Sequence, residues 1–382
     1  MFNWFNKFSG DNSDDDEIDV NDPFYKQALA RIEEAKKSNS QGLSLQMLRL
    51  KALPAEIGEL TRLTSLQVMG AIKQLPPEIG NLTNLKNLDL FGCQLRTLPD
   101  ELYTLPALES LGIGGTKQNR NLLNYLPRLT RLRALDLRAM PLNQFPSEVL
   151  QLTQLTRLTL NETGVSKLPS DIAALSNLEV LQVNNNRLRE LPPEFAGLSS
   201  LKHLEISTNK FKRFPMVLTD LNNLTNLNIS YNAIETLPPE ISRLSNLQYL
   251  TMGHNRLSVL PPEINKITGL ISLNADVNQL TALPDELCDL SDLRYLNFES
   301  NKLTRLPDCT GNLTQLQNLN LRGNQLNDLP PSIGHIEALA EANYDRFEKG
   351  LIIDRNPLAN IPAEVVSGGK TAILVYLRGL AT

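Results

Sequence analysis

Leu237-Pro238-Pro239-Glu240-Ile241-Ser242-Arg243-Leu244-Ser245-Asn246-Leu247-Gln248-Tyr249-Leu250-Thr251-Met252-Gly253-His254-Asn255-Arg256-Leu257 is one turn of a phrase that recurs through most of the chain. Its asparagine belongs to a series, Asn186, Asn209, Asn232, Asn255, Asn278, Asn301 and Asn324, each 23 residues after the last. A fixed period of this length marks a solenoid, in which each repeat forms one coil and buries its apolar face only by stacking on its neighbours. Within a coil the run Leu-x-x-Leu-x-Leu, as in Leu316, Leu319 and Leu321, alternates apolar and variable residues. That period of two puts the leucines on one side of a short strand and the variable residues on the other. Fourteen strand positions follow, centred near Leu45, Val68, Leu90, Ile113, Leu137, Leu160, Val183, Ile206, Ile229, Met252, Ala275, Phe298, Leu321 and Ile353. The expected fold is an α/β solenoid with about 14 short parallel strands on a concave face. Short helical or irregular segments form its convex side, and helices cap its ends.

The asparagine stands where the strand ends and the chain turns inward. Its side-chain amide is expected to satisfy backbone groups of its own and the neighbouring coil, since a buried group left unpaired costs roughly 1–3 kcal/mol. The Leu-Pro that follows (Pro192, Pro215, Pro238, Pro261, Pro284, Pro307, Pro330) has no backbone donor and a fixed φ, which suits the start of the return segment. The N-terminal half is less regular. Leu48, Cys93, Thr116, Met140 and Thr163 occupy the asparagine position, and the repeat at Val68 is one residue short. The stretch from Gly112 to Asn124 lacks the usual return and reads first as local drift in curvature, with a functional break or second contact site as the alternative.

Four segments are expected: an acidic, disordered tail over 1–22, a capping helix over 23–40, the solenoid over 41–362 and a closing helix over 363–382. In Pro23–Ser38, Phe24, Ala28, Leu29, Ile32 and Ala35 share one helical face. Near the other end Ile336–Glu348 lengthens a return segment, and Ile373, Leu374 and Leu377 are placed to cover the last coil. Ahead of the acidic run, Phe2, Trp4, Phe5 and Phe8 form a short aromatic cluster, too short and too weakly basic to anchor stably in a membrane.

The net charge of −5 is concentrated in the tail: residues 1–22 carry −6, which leaves the other 360 at about +1. A balanced body without a basic stripe excludes nucleic acid as the expected partner. With three cysteines (Cys93, Cys288, Cys309), paired disulfide caps are not expected, and Cys93 should be buried at an inward turn. The N-terminus shows no apolar run of signal-peptide length, and no span of about 20 apolar residues occurs. These features point to a cytoplasmic chain.

Catalytic chemistry finds no foothold in the sequence. Gly368-Gly369-Lys370-Thr371 suggests a phosphate loop, but the glycine required five residues before Gly369 is Glu364. His203, His254 and His335 lie on different repeats and make no metal or catalytic spacing with the cysteines. No catalytic residue, metal or cofactor is expected. Binding is expected instead on the variable strand residues, at His203, Glu205, Asn228, Tyr231, Tyr249, Thr251, His254, Asn274, Asp276, Tyr295, Asn297, Glu299 and Arg322. Coils of a parallel sheet stand about 4.8 Å apart, so Tyr231, Tyr249, His254 and Tyr295 could form one patch rich in the residue types that dominate interfaces. A second row, Arg187, Lys210, Arg256 and Lys302, reads as a solvated rim.

The unit over Leu237–Leu257 resembles the repeats of intracellular leucine-rich repeat proteins of the Ras-related scaffold type, including the plant Ras-group proteins and the repeat domains of Roco proteins. Asn356-Pro357-Leu358-x-x-Ile361-Pro362-x-Glu364-Val365, then Gly369-x-x-Ala372-Ile373-Leu374-x-Tyr376-Leu377-Arg378, resembles the segment that closes the Roco repeat domain before its GTPase. The chain stops at Thr382 without a GTPase motif. The resemblance implies a horseshoe-shaped repeat domain that binds proteins, small GTPases or kinases among them. A non-enzymatic scaffold is the first expectation. The regulatory arm of a larger Roco-like GTPase or kinase, or a bacterial effector delivered into host cells, are the alternatives.

Overall fold

The computed structural model describes residues 19–115, 120–340 and 350–381. They fall into two compact units, one running to Ala107 and the other starting at Leu108. The aromatic cluster Phe2, Trp4, Phe5 and Phe8, most of the acidic run, and 341–349 of the lengthened return lie outside the described residues.

The first unit opens with helix α1 (Pro23–Lys37). Asp22 caps it by accepting the Phe24 N–H at 2.7 Å, and Pro23 occupies the first helical position, where a missing donor costs nothing. Ala28, Ile32 and Ala35 are buried, while Phe24 and Leu29 are half-buried. The helix packs on β1 (Gly42–Leu50), which pairs in parallel with β2 (Ser65–Gly70), and β2 pairs with β3 (Asn87–Asp89). Leu66 stands opposite Leu88, the short step read from the sequence.

The second unit carries β4 (Ser110–Gly112), β5 (Ala134–Asp136), β6 (Arg157–Thr159), β7 (Val180–Gln182), β8 (His203–Glu205), β9 (Asn226–Asn228), β10 (Tyr249–Thr251), β11 (Ser272–Asn274), β12 (Tyr295–Asn297), β13 (Asn318–Asn320) and β14 (Gly350–Ile352). Each pairs in parallel with the next, leucine over leucine from Leu135 through Leu158, Leu181, Leu204, Leu227, Leu250, Leu273 and Leu296 to Leu319. These leucines are sealed from water and form the core beneath the strand face. The three-residue strands centre one leucine earlier than the sequence suggested, on Leu250 rather than Met252. The inter-coil hydrogen bonds nevertheless continue through the second apolar residue, with Met252 N–H donating to Asn274 O at 2.8 Å.

The chain then turns inward through a residue with left-handed backbone. Asn185, Thr208, Tyr231, His254, Val277 and Ser300 all have φ between 47° and 54°. One position later the asparagine does what its recurrence predicts. Asn255 Nδ2 donates to Ile229 O, Met252 O and Gly253 O, and its Oδ1 accepts the Ile234 N–H, all at 3.0–3.3 Å. Asn186, Asn209, Asn232, Asn278 and Asn301 repeat the pattern. The return is a five-residue 3-10 turn after the proline, as at Pro239–Arg243, whose Ile241 is buried. A single turn opened by proline is too short for an α-helix and suits 3-10 geometry.

Between β4 and β5 the coil is one residue longer, and its return is a nine-residue 3-10 stretch, Arg120–Arg128. Thr116–Asn119, the middle of the suspected break, lie outside the described residues. At the C-terminus the expected single helix is two, α2 (Ala363–Ser367) and α3 (Gly369–Leu380), divided at Gly368–Gly369 where Gly369 takes φ +75°. Ile373, Leu374 and Leu377 of α3 are buried, as expected. The helix lies directly on Gly334: a Cβ there would meet Arg378 N at 2.4 Å, and Arg378 Nε donates to Gly334 O.

The cysteines meet one expectation and add a bond that the sequence spacing left open. Cys93 is buried, but Cys288 and Cys309, on the consecutive return turns Asp285–Asp289 and Asp308–Asn312, form a disulfide with Cα atoms 5.9 Å apart. A separation of 21 residues is close to one repeat, so stacking the returns brings the two side chains together.

Candidate protein-binding face

The strand face presents the residues on either side of each buried leucine, one more two places further on, and the left-handed residue at the turn. On β10 and its turn these are Tyr249, Thr251, Gly253 and His254, with Tyr231 at the turn after β9. The Tyr231 and His254 rings stack with centroids 4.0 Å apart and planes 11° from parallel. Tyr231 is 53% exposed and Tyr249 and Tyr295 about 40%, high for residues of this size. Tyr249 and Tyr295 face the same small residue, Ser272, from the two sides of β11. The Tyr295 hydroxyl is 3.1 Å from Gln317 Oε1, to which it donates.

The acidic members are anchored differently. Glu205 accepts from Asn184 Nδ2 at 2.6 Å and Glu299 from Asn320 Nδ2 at 2.9 Å. Asp276 receives no side-chain hydrogen bond among the described residues, and His254 Nε2 stands 3.9 Å from its Oδ2. Its carboxylate folds back over Gly253, where a Cβ would collide with Asp276 Oδ1 at 1.7 Å, so only glycine permits the arrangement. Burial pushes the Asp276 carboxyl above its ordinary range; His254 pulls it down, and the Glu299 carboxylate pushes it up again.

A carboxyl raised in the folded state favours folding at acid pH, and that contribution is lost as pH rises through its folded value. Asp276→Asn is therefore expected to raise the melting temperature relative to wild type near pH 7 and to have no such effect near pH 3. Paired thermal melts at the two pH values check this, and a variant destabilised at both would contradict it.

Other expected residues turn out to be partly committed to the scaffold. Asn228, Asn274 and Asn297 each accept, through Oδ1, the N–H two residues on, at Ser230, Asp276 and Glu299. Arg322 pairs with Asp354 of the following coil at 3.0 Å. His203 is exposed on β8 and Thr251 half-buried on β10. Arg187, Lys210, Arg256 and Lys302 are exposed beyond the turn. The structure thus brings Tyr231 and His254 into contact, sets Asp276 beside His254, and places Tyr249 and Tyr295 about Ser272. His203, Glu205 and Arg322 lie outside that group.

Sequence reasoning missed Gly253, Ser272 and Ser230, whose buried Oγ has no hydrogen-bond partner among the described residues. The signal was available for Gly253, a lone glycine in a column otherwise filled by Asn184, Ser207, Ser230, Asp276 and Glu299.

Among the described residues no group of three or more His, Cys, Asp or Glu is placed to hold a metal ion, and no helix is long and apolar enough to cross a membrane.

The profile described as a leucine-rich repeat region matches residues 41–144 and 142–231, and that of the leucine rich repeat matches 214–263 and 268–326. No curated protein matches the chain. Among solved structures, a leucine-rich repeat protein of Leptospira interrogans is 27% identical over 89% of this chain and 96% of its own, with a TM-score of 0.69. A plant peptide hormone receptor, RGFR1, in complex with RGF2, is 27% identical over 80% of this chain and 55% of its own, at a TM-score of 0.57. The functional domain of InlJ from Listeria monocytogenes, at 21% identity, covers 84% of this chain and 64% of its own with a TM-score of 0.63, a likeness of fold.

The likeness at 27% identity to a plant peptide hormone receptor overturns the cytoplasmic expectation. The Cys288–Cys309 disulfide agrees with the correction, because such bonds persist in oxidising compartments. The cytoplasmic reading rested on cysteine number and on the lack of a signal-peptide run or membrane span, and none of these tells which cysteines the stacked returns bring together.

Proposed function

The chain belongs to the leucine-rich repeat family, and on that premise we propose that its strand face docks a protein or peptide segment, centred on Tyr231, Tyr249, His254 and Tyr295. It is a non-enzymatic binding scaffold. The observation that carries the site is the Tyr231–His254 stack at the turns, with two more exposed tyrosines, Tyr249 and Tyr295, at the strand starts of the same face. Rigid aromatic side chains lose little entropy on binding and supply large contact area, which is why they dominate interface energetics. Tyr231 and His254 hold left-handed backbone positions that glycine would fill without strain, as Gly323 does in a later coil. Glu205, Asn228, Thr251, Asn274, Asp276, Asn297, Glu299, His203 and Arg322 complete the proposed surface as its polar surround. The same reading keeps 1–22 as a tail, 23–40 and 363–382 as end caps, and 41–362 as the binding solenoid.

The partner is kept at the level of a protein or peptide, as in the receptor complex above. A small GTPase or kinase, and the regulatory-arm alternative, rest on the motif resemblance to Ras-related and Roco proteins alone, and none of the three structures above is of that kind. The test is a crosslinked pull-down from the source lysate, followed by affinity measurement with the purified partner. Tyr249→Ala/Tyr295→Ala is expected to weaken binding at least tenfold, about 1.4 kcal/mol, with an unchanged melting curve. Wild-type affinity in a folded variant would refute the site.

A further inference from the structure

The charge on this face is one-sided. The strand and turn residues of the coils from β8 to β12 (203–208, 226–231, 249–254, 272–277 and 295–300) include Glu205, Asp276 and Glu299 and not one lysine or arginine. The body of the chain is otherwise nearly neutral. The nearest bases border the face at its two margins: Lys202 and Arg294 just before β8 and β12, and Lys210, Arg256 and Lys302 past the inward turn, all exposed to solvent, where their charge is screened.

Within this face Asp276 is the carboxylate prepared for a ligand. It is half-buried, lies against the backbone of Gly253, and receives no side-chain hydrogen bond among the described residues. Glu299, one coil on, places a second carboxylate beside it, with Oε2 already fixed by Asn320. His254 Nε2 flanks the pair, 3.9 Å from Asp276 Oδ2, and an arriving cation would offset the repulsion between the two carboxylates. Four residues back along the same strands, roughly 13 Å from the carboxylates, Tyr249 and Tyr295 stand two coils apart, about 10 Å, with Ser272 between them. A peptide segment laid along the strands can therefore set a basic side chain on the carboxylates while its neighbouring residues pack on the tyrosine rings.

We propose that this face selects a basic segment of its partner, with an arginine or lysine side chain held by Asp276 and Glu299 and the adjoining residues of the segment packed on Tyr249 and Tyr295. The proposal rests on the strand-face reading above and adds the chemistry of the ligand. Arginine fits better than lysine, because its planar fork can bond both carboxylates at once. Association then weakens with salt, and faster arrival contributes to the affinity.

The probe is a phage-displayed library of linear peptides selected on the full 382-residue chain, with enriched peptides synthesised and titrated. Three proteins are compared: wild type, Asp276→Asn/Glu299→Gln, and Tyr249→Ala/Tyr295→Ala, each shown to melt as a folded protein. The expected result is enrichment of peptides sharing an arginine or lysine. Their affinity should fall at least tenfold in Asp276→Asn/Glu299→Gln, and equally when citrulline or norleucine replaces the basic residue. Peptides without a basic residue, or with one that the carboxylate variant still binds normally, overturn the inference. If those peptides are lost in Tyr249→Ala/Tyr295→Ala, the strand-face reading survives it. Peptides indifferent to both variants overturn the inference and remove its basis as well. A library that yields no binder also overturns it, and the strand face is then judged by the protein pull-down alone.

Discussion

Asn255→Ala is expected to destabilise the coils around it by about 3 kcal/mol. The figure follows from which partners are shared. Ile229 O also accepts from Asn232 Nδ2, Met252 O from Asn278 Nδ2, and Gly253 O from the Tyr231 N–H. Truncating Asn255 therefore leaves each carbonyl one bond, at a loss of under about 1 kcal/mol apiece. The Ile234 N–H has no such reserve. Its partner is Asn255 Oδ1, and beneath the strand no water replaces it, which adds roughly 1–3 kcal/mol. Stacked repeats open locally, so the loss should appear as faster amide exchange across about residues 229–278 and only secondarily in the global urea midpoint. Asn226→Ala is the control. Its side chain accepts only from the neighbouring Thr225 hydroxyl, and it should change stability by less than about 0.5 kcal/mol. Equal effects for the two variants would show that the inward asparagine is ornamental.

The same sharing explains why so much of the fold was legible in the sequence. A ladder in which every coil's asparagine bonds the coil before it must place the same residue at the same spacing, or leave buried donors unpaired. The core leucines recur for the same reason, because Leu250 stands between Leu227 and Leu273 in the ladder and every coil meets the same residue on both sides. Prolines that open the return turns recur because each return repeats one geometry. What lay outside the period was harder to read. Whether Tyr231 meets His254 or points away depends on rotamers at a left-handed position, which spacing does not specify. Gly253 looked like drift until the Asp276 carboxylate was found lying where its side chain would be. The asparagines of the strand face misled in the other direction: Asn228, Asn274 and Asn297 are variable in place but bond their own backbone. The strand-face columns were legible as a surface, and their division into anchors and contacts was not.

Removing the disulfide by Cys288→Ser/Cys309→Ser is expected to cost about 3 kcal/mol, the loop-closure entropy returned to an unfolded chain crosslinked 21 residues apart. The crosslink joins the returns after Pro284 and Pro307, so the loss should concentrate in the coils of β12 and β13 and spare β6 to β8. Amide exchange resolved along the chain separates this pattern from a uniform loss. Thiol titration tests the premise directly. Cys93 lies sealed beneath the first unit's strands, and burial pushes its thiol up to about 12, so at neutral pH it presents no thiolate and no access. The native, unreduced chain should therefore show no reactive thiol. Denatured without reductant it should show one, and denatured with reductant all three. Three thiols in the unreduced, denatured chain would mean that the bond does not form where the protein matures. The double serine variant would then be expected to melt like wild type, and the support that the bond lends to the localisation correction would fall. One thiol, together with a stability loss confined to the coils of β12 and β13, would tie that correction to a measured bond.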